Sequence, residues 1–474
     1  MSEPTVAAQD PGATRAGGAG DPGQIAERES GLHRGLKRGQ LAMIGLGSAI
    51  SVKAAGPAVV VSFAIAALIA LTMVWALAEM AAAHPAAGTF GLYAEMYLHE
   101  WAGYAIRLTY WLCVVMAVGS EVVASAIYCH LWLPNVPSWV WIAIFSAAIL
   151  YVNTVSVGNF GASEFWLSMV KVVTIVAFLA LGAALLLGVG APRIGLANYT
   201  AHGGFLPNGW KGVGLGVVMG LFSFFGVETV GSTAGEAADP KASVPQALRR
   251  TLFALAILYL GALTVVVGIV PWPEIGLGES PFVRVFERVG IPGAGHVMNF
   301  VVLSAALSSA MANLYFAARL LFSLSRGGYA PKALGKLSAK GMPVTAVLVS
   351  AVGMAAALAL SDVFKESLFV YMLGLSTFGA LFAWSLILLT HLAFRRFHEQ
   401  RGQTYLRLSP RGPWASLAGL AGVLAVLVST WWVPGFRVTL VAGVPWLGLV
   451  TVCYVVWKRV KMKATEANAG SGAN

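Results

Sequence analysis

The most unusual charge in this sequence is Lys171, which stands alone in the apolar run Phe165-Trp166-Leu167-Ser168-Met169-Val170-Lys171-Val172-Val173. Burying an ammonium costs several kcal/mol unless it is paired or deprotonated. Two readings follow. Lys171 either snorkels to a membrane face or works as a proton-coupling group able to change charge. Ser304 and Ser308, on one face of a later apolar segment, are natural partners for it. Glu121, within Gly119-Ser120-Glu121-Val122-Val123, and Glu228, two residues past Gly226, are carboxyls inside apolar segments. Each either carries a transport role or makes a structural hydrogen bond. Glu79, Arg107, Arg319 and His391 lie near segment ends, where structural or interfacial roles fit. Asn153 and Asn313 fit interhelical hydrogen bonds.

A second group of residues could bind through the backbone. Gly45-Leu46-Gly47-Ser48-Ala49 lies in the first apolar segment. Five segments later comes Gly212-Val213-Gly214, then Gly220-Leu221-Phe222-Ser223-Phe224-Phe225-Gly226-Val227-Glu228. Single glycines usually serve close helix packing. Glycine-rich stretches offset by five helices suggest two broken helices, whose free amides and carbonyls would face the carboxylate and ammonium of a zwitterion. Gly45, Gly47, Ser48, Ala49, Phe222, Ser223, Phe224 and Gly226 are the candidate substrate contacts. Phe222 either packs in the core or closes over the substrate.

Membrane helices must position these groups. Of 474 residues, 58% are hydrophobic and 11% charged, against about a quarter charged in soluble domains. A hydrocarbon core of ~30 Å needs ~20 apolar residues per helix. Eleven segments qualify, near 57–83, 102–130, 138–156, 164–190, 211–235, 249–271, 294–324, 343–360, 366–391, 414–433 and 437–457. A twelfth, Leu41–Val52, is short. Residues 1–30 and 464–474 read as flexible tails, and 35–458 as one membrane domain.

With both termini cytoplasmic, Lys53, Arg193, Lys211, Arg284, Arg288, Lys365 and Arg437 fall outside, and the rest of the 31 Lys and Arg, apart from Lys171, fall inside. The net charge of +11 is thus mostly topology plus attraction to anionic lipid, which argues against nucleic acid as a partner. Cys113, Cys129 and Cys453 show no metal spacing, and no nucleophile or zinc-protease motif occurs, so no cofactor, metal or catalytic residue is expected. The implied partners are a substrate, protons and the lipid of a cell (plasma or inner) membrane. No oligomeric state follows.

From about Gly35 to Lys458 the chain resembles the GABA/aromatic/proline permease-like amino acid transporters of the amino acid–polyamine–organocation superfamily. The resemblance rests on Ala55-Gly56-Pro57-Ala58, Ala78-Glu79-Met80 with His84-Pro85 and Gly88, and Glu164-Phe165-Trp166 through Lys171. It continues in Phe222 through Glu228, Gly235-Glu236-Ala237-Ala238-Asp239-Pro240, and Arg319-Leu320-Leu321-Phe322-Ser323-Leu324 with Ala330-Pro331. The resemblance implies an all-α integral membrane fold with a LeuT-type 5+5 inverted repeat plus two C-terminal helices. It also implies proton-coupled uptake of an amino acid, neutral by preference. It makes Lys171 the lysine that replaces a sodium site, Phe222 an aromatic gate and Glu228 a glutamate of proton linkage; Glu121 and Ser308 join the proton-coupling candidates from their own positions in apolar segments. The sequence departs at Ile50. Relatives continue with a Gly-x-Gly-Leu-Phe-like stretch of about a dozen residues, whereas Ser51-Val52 here runs straight into Lys53-Ala54-Ala55-Gly56-Pro57. Leu41–Val52 as a helix reaches only ~18 Å, so the outer half of the first helix is expected to be missing. A non-transporting homologue, either a substrate sensor or an inactive deletion variant, is the alternative.

Overall fold

The computed structural model describes residues 45–84, 89–155, 157–188, 195–229, 240–276, 280–289, 293–338, 341–365, 367–410, 412–433 and 435–471. Among these the regular structure is helical. The helices are α1 (Gly45–Ala55), α2 (Val59–Ala83), α3 (Thr89–Tyr97), α4 (Glu100–His130), α5 (Ser138–Val155), α6 (Val157–Leu187), α7 (Gly209–Phe224) and α8 (Pro240–Ile269). They are followed by α9 (Pro281–Val289), α10 (Ala294–Arg326), α11 (Val344–Ser350), α12 (Val352–Phe364), α13 (Ser367–Gln400), α14 (Trp414–Ser429) and α15 (Val438–Ser471). Nine stretches of the described residues are long and apolar enough to cross a membrane, with shorter apolar helices at Ser138–Thr154 and Val173–Leu187.

The apolar stretch Ser48–Ala83 is a hairpin rather than one helix. Ser51 Oγ donates to the Gly216 carbonyl at 3.4 Å and Ser62 Oγ to the Val213 carbonyl at 2.9 Å. Those carbonyls are three residues apart, ~5 Å of helix, whereas Ser51 and Ser62 would be ~16 Å apart on a continuous helix. The chain therefore reverses between them, at Gly56, whose φ of +60° is open to glycine. Asn208 Nδ2 donates to the Ala54 carbonyl at 2.9 Å beside that turn. The glycine stripe of α7 receives both arms. A Cβ on Gly212 would lie 2.4 Å from the Ala54 oxygen, one on Gly216 2.6 Å from Ser62 Oγ, and one on Gly220 3.1 Å from the Ala66 Cβ.

This hairpin corrects the expectation about the first helix. From the Gly56 turn the described part of α1 reaches back ~16 Å, so it occupies the half of a crossing nearest Gly56, the half expected to be missing. Counted on the sequence, the short side is the opposite one, where only the apolar Leu41–Ile44 precede Gly45. The match to Ala55-Gly56-Pro57 fixes the end of α1 at the turn, and small residues let it pack on α7.

α4 runs through the centre of the bundle. A Cβ on Gly353 of α12 would lie 2.0 Å from the Val115 oxygen, and one on Gly379 of α13 2.6 Å from the Thr109 oxygen. α10 crosses α4 with Phe316 near Tyr110 (ring centroids 5.9 Å) and Asn299 Nδ2 bonded to the Tyr128 carbonyl at 2.8 Å. α14 lies against α2, with Gly419 at Thr72 and Gly422 at Ile69. These pairings alternate helix direction and sort the charges. Lys53, Lys211, Arg284, Arg288, Lys365 and Arg437 lie at the Gly56 rim, and Arg326, Lys332, Lys336, Arg395, Arg407 and Lys458 at the opposite, Glu79 rim.

Elsewhere the elements differ from the hydropathy pattern in three places. The span expected over 211–235 stops as a helix at Phe224. α3 and α9 are short helices with no long apolar run to announce them; α9 is amphipathic, burying Phe282, Val283 and Val285 and exposing Arg284. α15 continues as helix to Ser471, past the flexible end expected from Ala464, where Ala464, Glu466, Ala467 and Ala469 favour helix. The tail expected over 1–30 lies outside the described residues.

Candidate functional site

The site is built around the end of α7. Its last helical residue is Phe224; Phe225 is extended (φ −61°, ψ 143°) and Gly226 has φ +96°. Only glycine adopts that conformation readily, so Gly226 makes the break. Val227–Thr229 then forms a tight turn, held by the Thr229 amide to the Gly226 carbonyl at 3.0 Å. The turn folds Glu228 back, so that its Oε2 accepts from the Gly226 amide at 2.9 Å. Its Oε1 accepts from the Tyr110 hydroxyl of α4. Glu228 is fully buried. The indole of Trp384, from α13, lies beside the same carboxyl and meets the Phe225 ring edge-on at 5.0 Å.

Aromatic rings surround this carboxyl. Phe222 meets Phe225 at 5.5 Å, and Tyr110 meets Phe90 at 5.1 Å and Phe316 at 5.9 Å. Phe224 points away and packs on Tyr259 of α8 at 5.3 Å. Ser223 Oγ donates to the Met219 carbonyl of its own helix at 3.0 Å. Phe222 and Phe224 are both buried.

α1 reaches the same depth. It runs antiparallel to α7 with Ser51 at Gly216, so three residues back Ser48 comes level with Met219, and Gly45 level with Phe222. Ser48 and Ala49 are buried; Gly45 and Gly47 lie in the first turns of α1. The two glycine-bearing segments therefore do meet halfway through the bundle. α7 ending there presents carbonyls, the pole that the ammonium of a zwitterion requires.

The expected proton-coupling residues do not all gather here. Glu121 lies eleven residues, ~16 Å, along α4 from Tyr110. Asn313 of α10 bonds it at 3.3 and 3.4 Å, an interhelical link of the kind the asparagine suggested. Ser308 is fully buried on α10, five residues before Asn313. Lys171 belongs to α6, but its side chain lies outside the described residues.

Tyr110 and Trp384 are the site residues that sequence reasoning missed. The available signal was weak: each is a polar-tipped aromatic inside an apolar run, where such residues are common packing units. The remaining buried charges sit at the Glu79 rim, as their position near segment ends suggested. Glu79 pairs with Arg395 and His391, Arg107 pairs with Glu95 at 2.9 Å, and the Arg319 guanidinium stacks on Tyr315 at 4.0 Å.

Comparison with known proteins agrees with this picture. Residues 39–466 match the family described as amino acid permease. The chain is 36% identical over 437 residues to an uncharacterized amino acid permease, YtnA, of Bacillus subtilis, covering 89% of this chain and 94% of the relative. It is 34% identical over 451 residues to the aromatic amino acid transport protein AroP of Escherichia coli K12, covering 92% and 98%. It is 31% identical over 452 residues, again 92% and 98%, to a probable threonine/serine transporter, YbxG, of Bacillus subtilis.

Proposed function

We propose that this chain, which belongs to the amino acid permease family, is a proton-coupled secondary transporter that moves neutral amino acids by alternating access. Amino acid transport and a multi-pass membrane setting come with the family. The finer reading rests on one observation: the broken end of α7 and the glycine-bearing stretch Gly45–Ala49 of α1 share one depth in the bundle, beside the buried carboxyl of Glu228. Unpaired backbone groups are tolerated at membrane depth where protein or a cavity surrounds them, and there they recognise the charged ends of an amino acid. The implied architecture is a LeuT-type 5+5 inverted repeat, with α14 and α15 as the two added helices.

In this reading Gly45, Gly47, Ser48 and Ala49 serve one pole of the substrate, and Phe222, Ser223, Gly226 and the backbone of Phe224, whose ring packs away on Tyr259, the other, with Phe222 as the aromatic that closes over it. Glu228, tied to Tyr110 by one hydrogen bond, exchanges that bond as the site opens. Lys171, Glu121 and Ser308 complete the proton-linked set. The Lys- and Arg-rich Glu79 rim is cytoplasmic, which puts both termini inside a plasma or inner membrane.

A second reading, a non-transporting homologue, is favoured by the shortness of the apolar segment Leu41–Val52 in the sequence. One experiment separates them. The purified protein in liposomes is given labelled neutral, aromatic and cationic amino acids, with and without an inward proton gradient. Gradient-driven accumulation of a neutral amino acid, weak in the unmodified chain and abolished in Lys171→Ala with some exchange retained, is the expected result. Accumulation indifferent to the gradient, or an unchanged pH dependence in Lys171→Ala, refutes proton coupling through this lysine. Substrate binding without uptake of any amino acid establishes the second reading.

A further inference from the structure

Trp384, Leu388, His391, Arg395 and His398 recur at intervals of four and three residues, so they form one stripe on α13. The top of that stripe, Trp384, belongs to the Glu228 site. Two turns below it, ~10 Å along the helix, the stripe enters a separate buried cluster built on Glu79 of α2. Glu79 is fully buried, yet both carboxylate oxygens are saturated. Arg395 donates from NH2 to Oε1 at 2.9 Å and to Oε2 at 3.0 Å, and from Nε to Oε2 at 3.1 Å. His391 Nε2 donates to Oε2 at 2.8 Å. The backbone amides of Leu408 and Ser409 each donate to Oε1 at 2.9 Å, joined by Ser409 Oγ at 3.0 Å. Arg395 NH1 also reaches the carbonyls of Pro410 at 3.1 Å and Gly412 at 2.7 Å, and His391 Nδ1 faces the Ser416 hydroxyl of α14 at 2.8 Å.

This is far more than the loop between α13 and α14 needs. A loop of that length at a membrane rim can bond to water, whereas an Arg, a His and a Glu placed between helices must be satisfied within the protein. A bidentate guanidinium–carboxylate pair also fixes direction as well as distance. A clamp at His391 and Arg395 therefore sets both the height and the rotation of α13 against α2. Trp384 shares their stripe, so its placement is set with theirs.

We propose that Glu79 is a positioning residue that, by clamping His391 and Arg395, holds Trp384 of α13 in place against Phe225 and Glu228. This deepens the reading of the Glu228 surroundings as the transport site and rests on it for its functional meaning. The positioning itself is testable without any transport.

The full-length protein is produced with 5-fluorotryptophan in detergent micelles, and the Trp384 fluorine resonance is assigned by its loss in Trp384→Phe. In Glu79→Gln the Trp384 line is expected to shift and to broaden or split, while the lines of the other tryptophans stay dispersed. If loss of the charge leaves Arg395 uncompensated and the variant fails to fold, Glu79→Gln/Arg395→Met, which leaves no lone charge, is measured instead with the same expectation. An unmoved Trp384 line in a folded variant overturns the proposal and leaves the cluster as an anchor for the loop alone. A collapse of all tryptophan lines in both variants also overturns it, since the cluster then holds the whole fold. Uptake is measured separately on the unmodified chain: its absence would count against the transport reading and would leave the fluorine result standing.

Discussion

Lengthening the first helix tests where its shortfall lies. α1 is eleven residues, ~16 Å of helix, and ends at the Gly56 turn, so about half of a ~30 Å crossing remains to be made before Gly45. Only Leu41, Ala42, Met43 and Ile44 separate Gly45 from the polar and basic Gln40, Gly39, Arg38 and Lys37; four residues amount to ~6 Å of helix. What a crossing from the Gly56 rim lacks is its opposite half, whose terminal carbonyls would receive an ammonium. Losing two such charge-assisted bonds, at about 1.5–3 kcal/mol each, weakens substrate binding about a hundredfold or more.

The unmodified chain is therefore expected to accumulate substrate only weakly. A Gly-Leu-Phe-Leu-Gly stretch placed between Ile44 and Gly45 brings the eleven residues of α1 and the four before it to about twenty, a crossing of ~30 Å, and leaves the α1–α7 contacts intact. The same stretch placed between Val52 and Lys53 separates Ser51, on Gly216, from Ala54, at Gly212 and Asn208, and is expected to rescue nothing. The assay is uptake of labelled amino acids into proteoliposomes containing equal amounts of folded protein. Robust accumulation by the unmodified chain, or equal rescue from both insertions, would refute the reasoning.

The packing of α12 on α4 gives a stability prediction. Gly353→Ala brings a methyl within 2.0 Å of the Val115 oxygen, a backbone atom that cannot swing away, so it costs about 1–3 kcal/mol or more of overpacking and lowers the unfolding temperature; an unchanged melting curve in detergent contradicts the close approach. The charge sorting gives an orientation prediction. In a background with Cys113, Cys129 and Cys453 replaced, Arg284→Cys at the Gly56 rim reacts with an impermeant maleimide added outside cells, and Lys336→Cys at the Glu79 rim reacts only after permeabilisation. Labelling of both from one side would reverse the assignment.

Long apolar runs made the helices legible, because a bilayer imposes one length and one hydrogen-bonding solution on every crossing. The break in α7 was legible too: Gly226 precedes a carboxyl inside an apolar run, and the structure puts φ +96° at that residue. The direction of α1 was not. Whether Leu41–Val52 is the near or the far half of a crossing depends on how close its end lies to the turn, and the segment boundary at Lys53 does not say. Ser51 and Ser62 bonding to carbonyls one turn apart on α7 decides it, and that is a tertiary fact. Tyr110 and Trp384 escaped for a similar reason. Each is an ordinary membrane aromatic until α7 folds Glu228 back between them.

Two kinds of bonding divide the molecule by depth. At the Glu79 rim, buried charges are held by several partners each, as Glu79 is by Arg395, His391, Leu408 and Ser409. At the centre, Glu228 holds α4 through a single phenol, and Phe225 and Trp384 meet only edge to edge. Breaking a buried pair costs about 3–5 kcal/mol, whereas one hydrogen bond to a charged group contributes about 1.5–3 kcal/mol and an aromatic pair about 0.5–1.5 kcal/mol. A substrate offering one ammonium and one carboxylate could exchange bonds with the central set. The rim set lies beyond that reach.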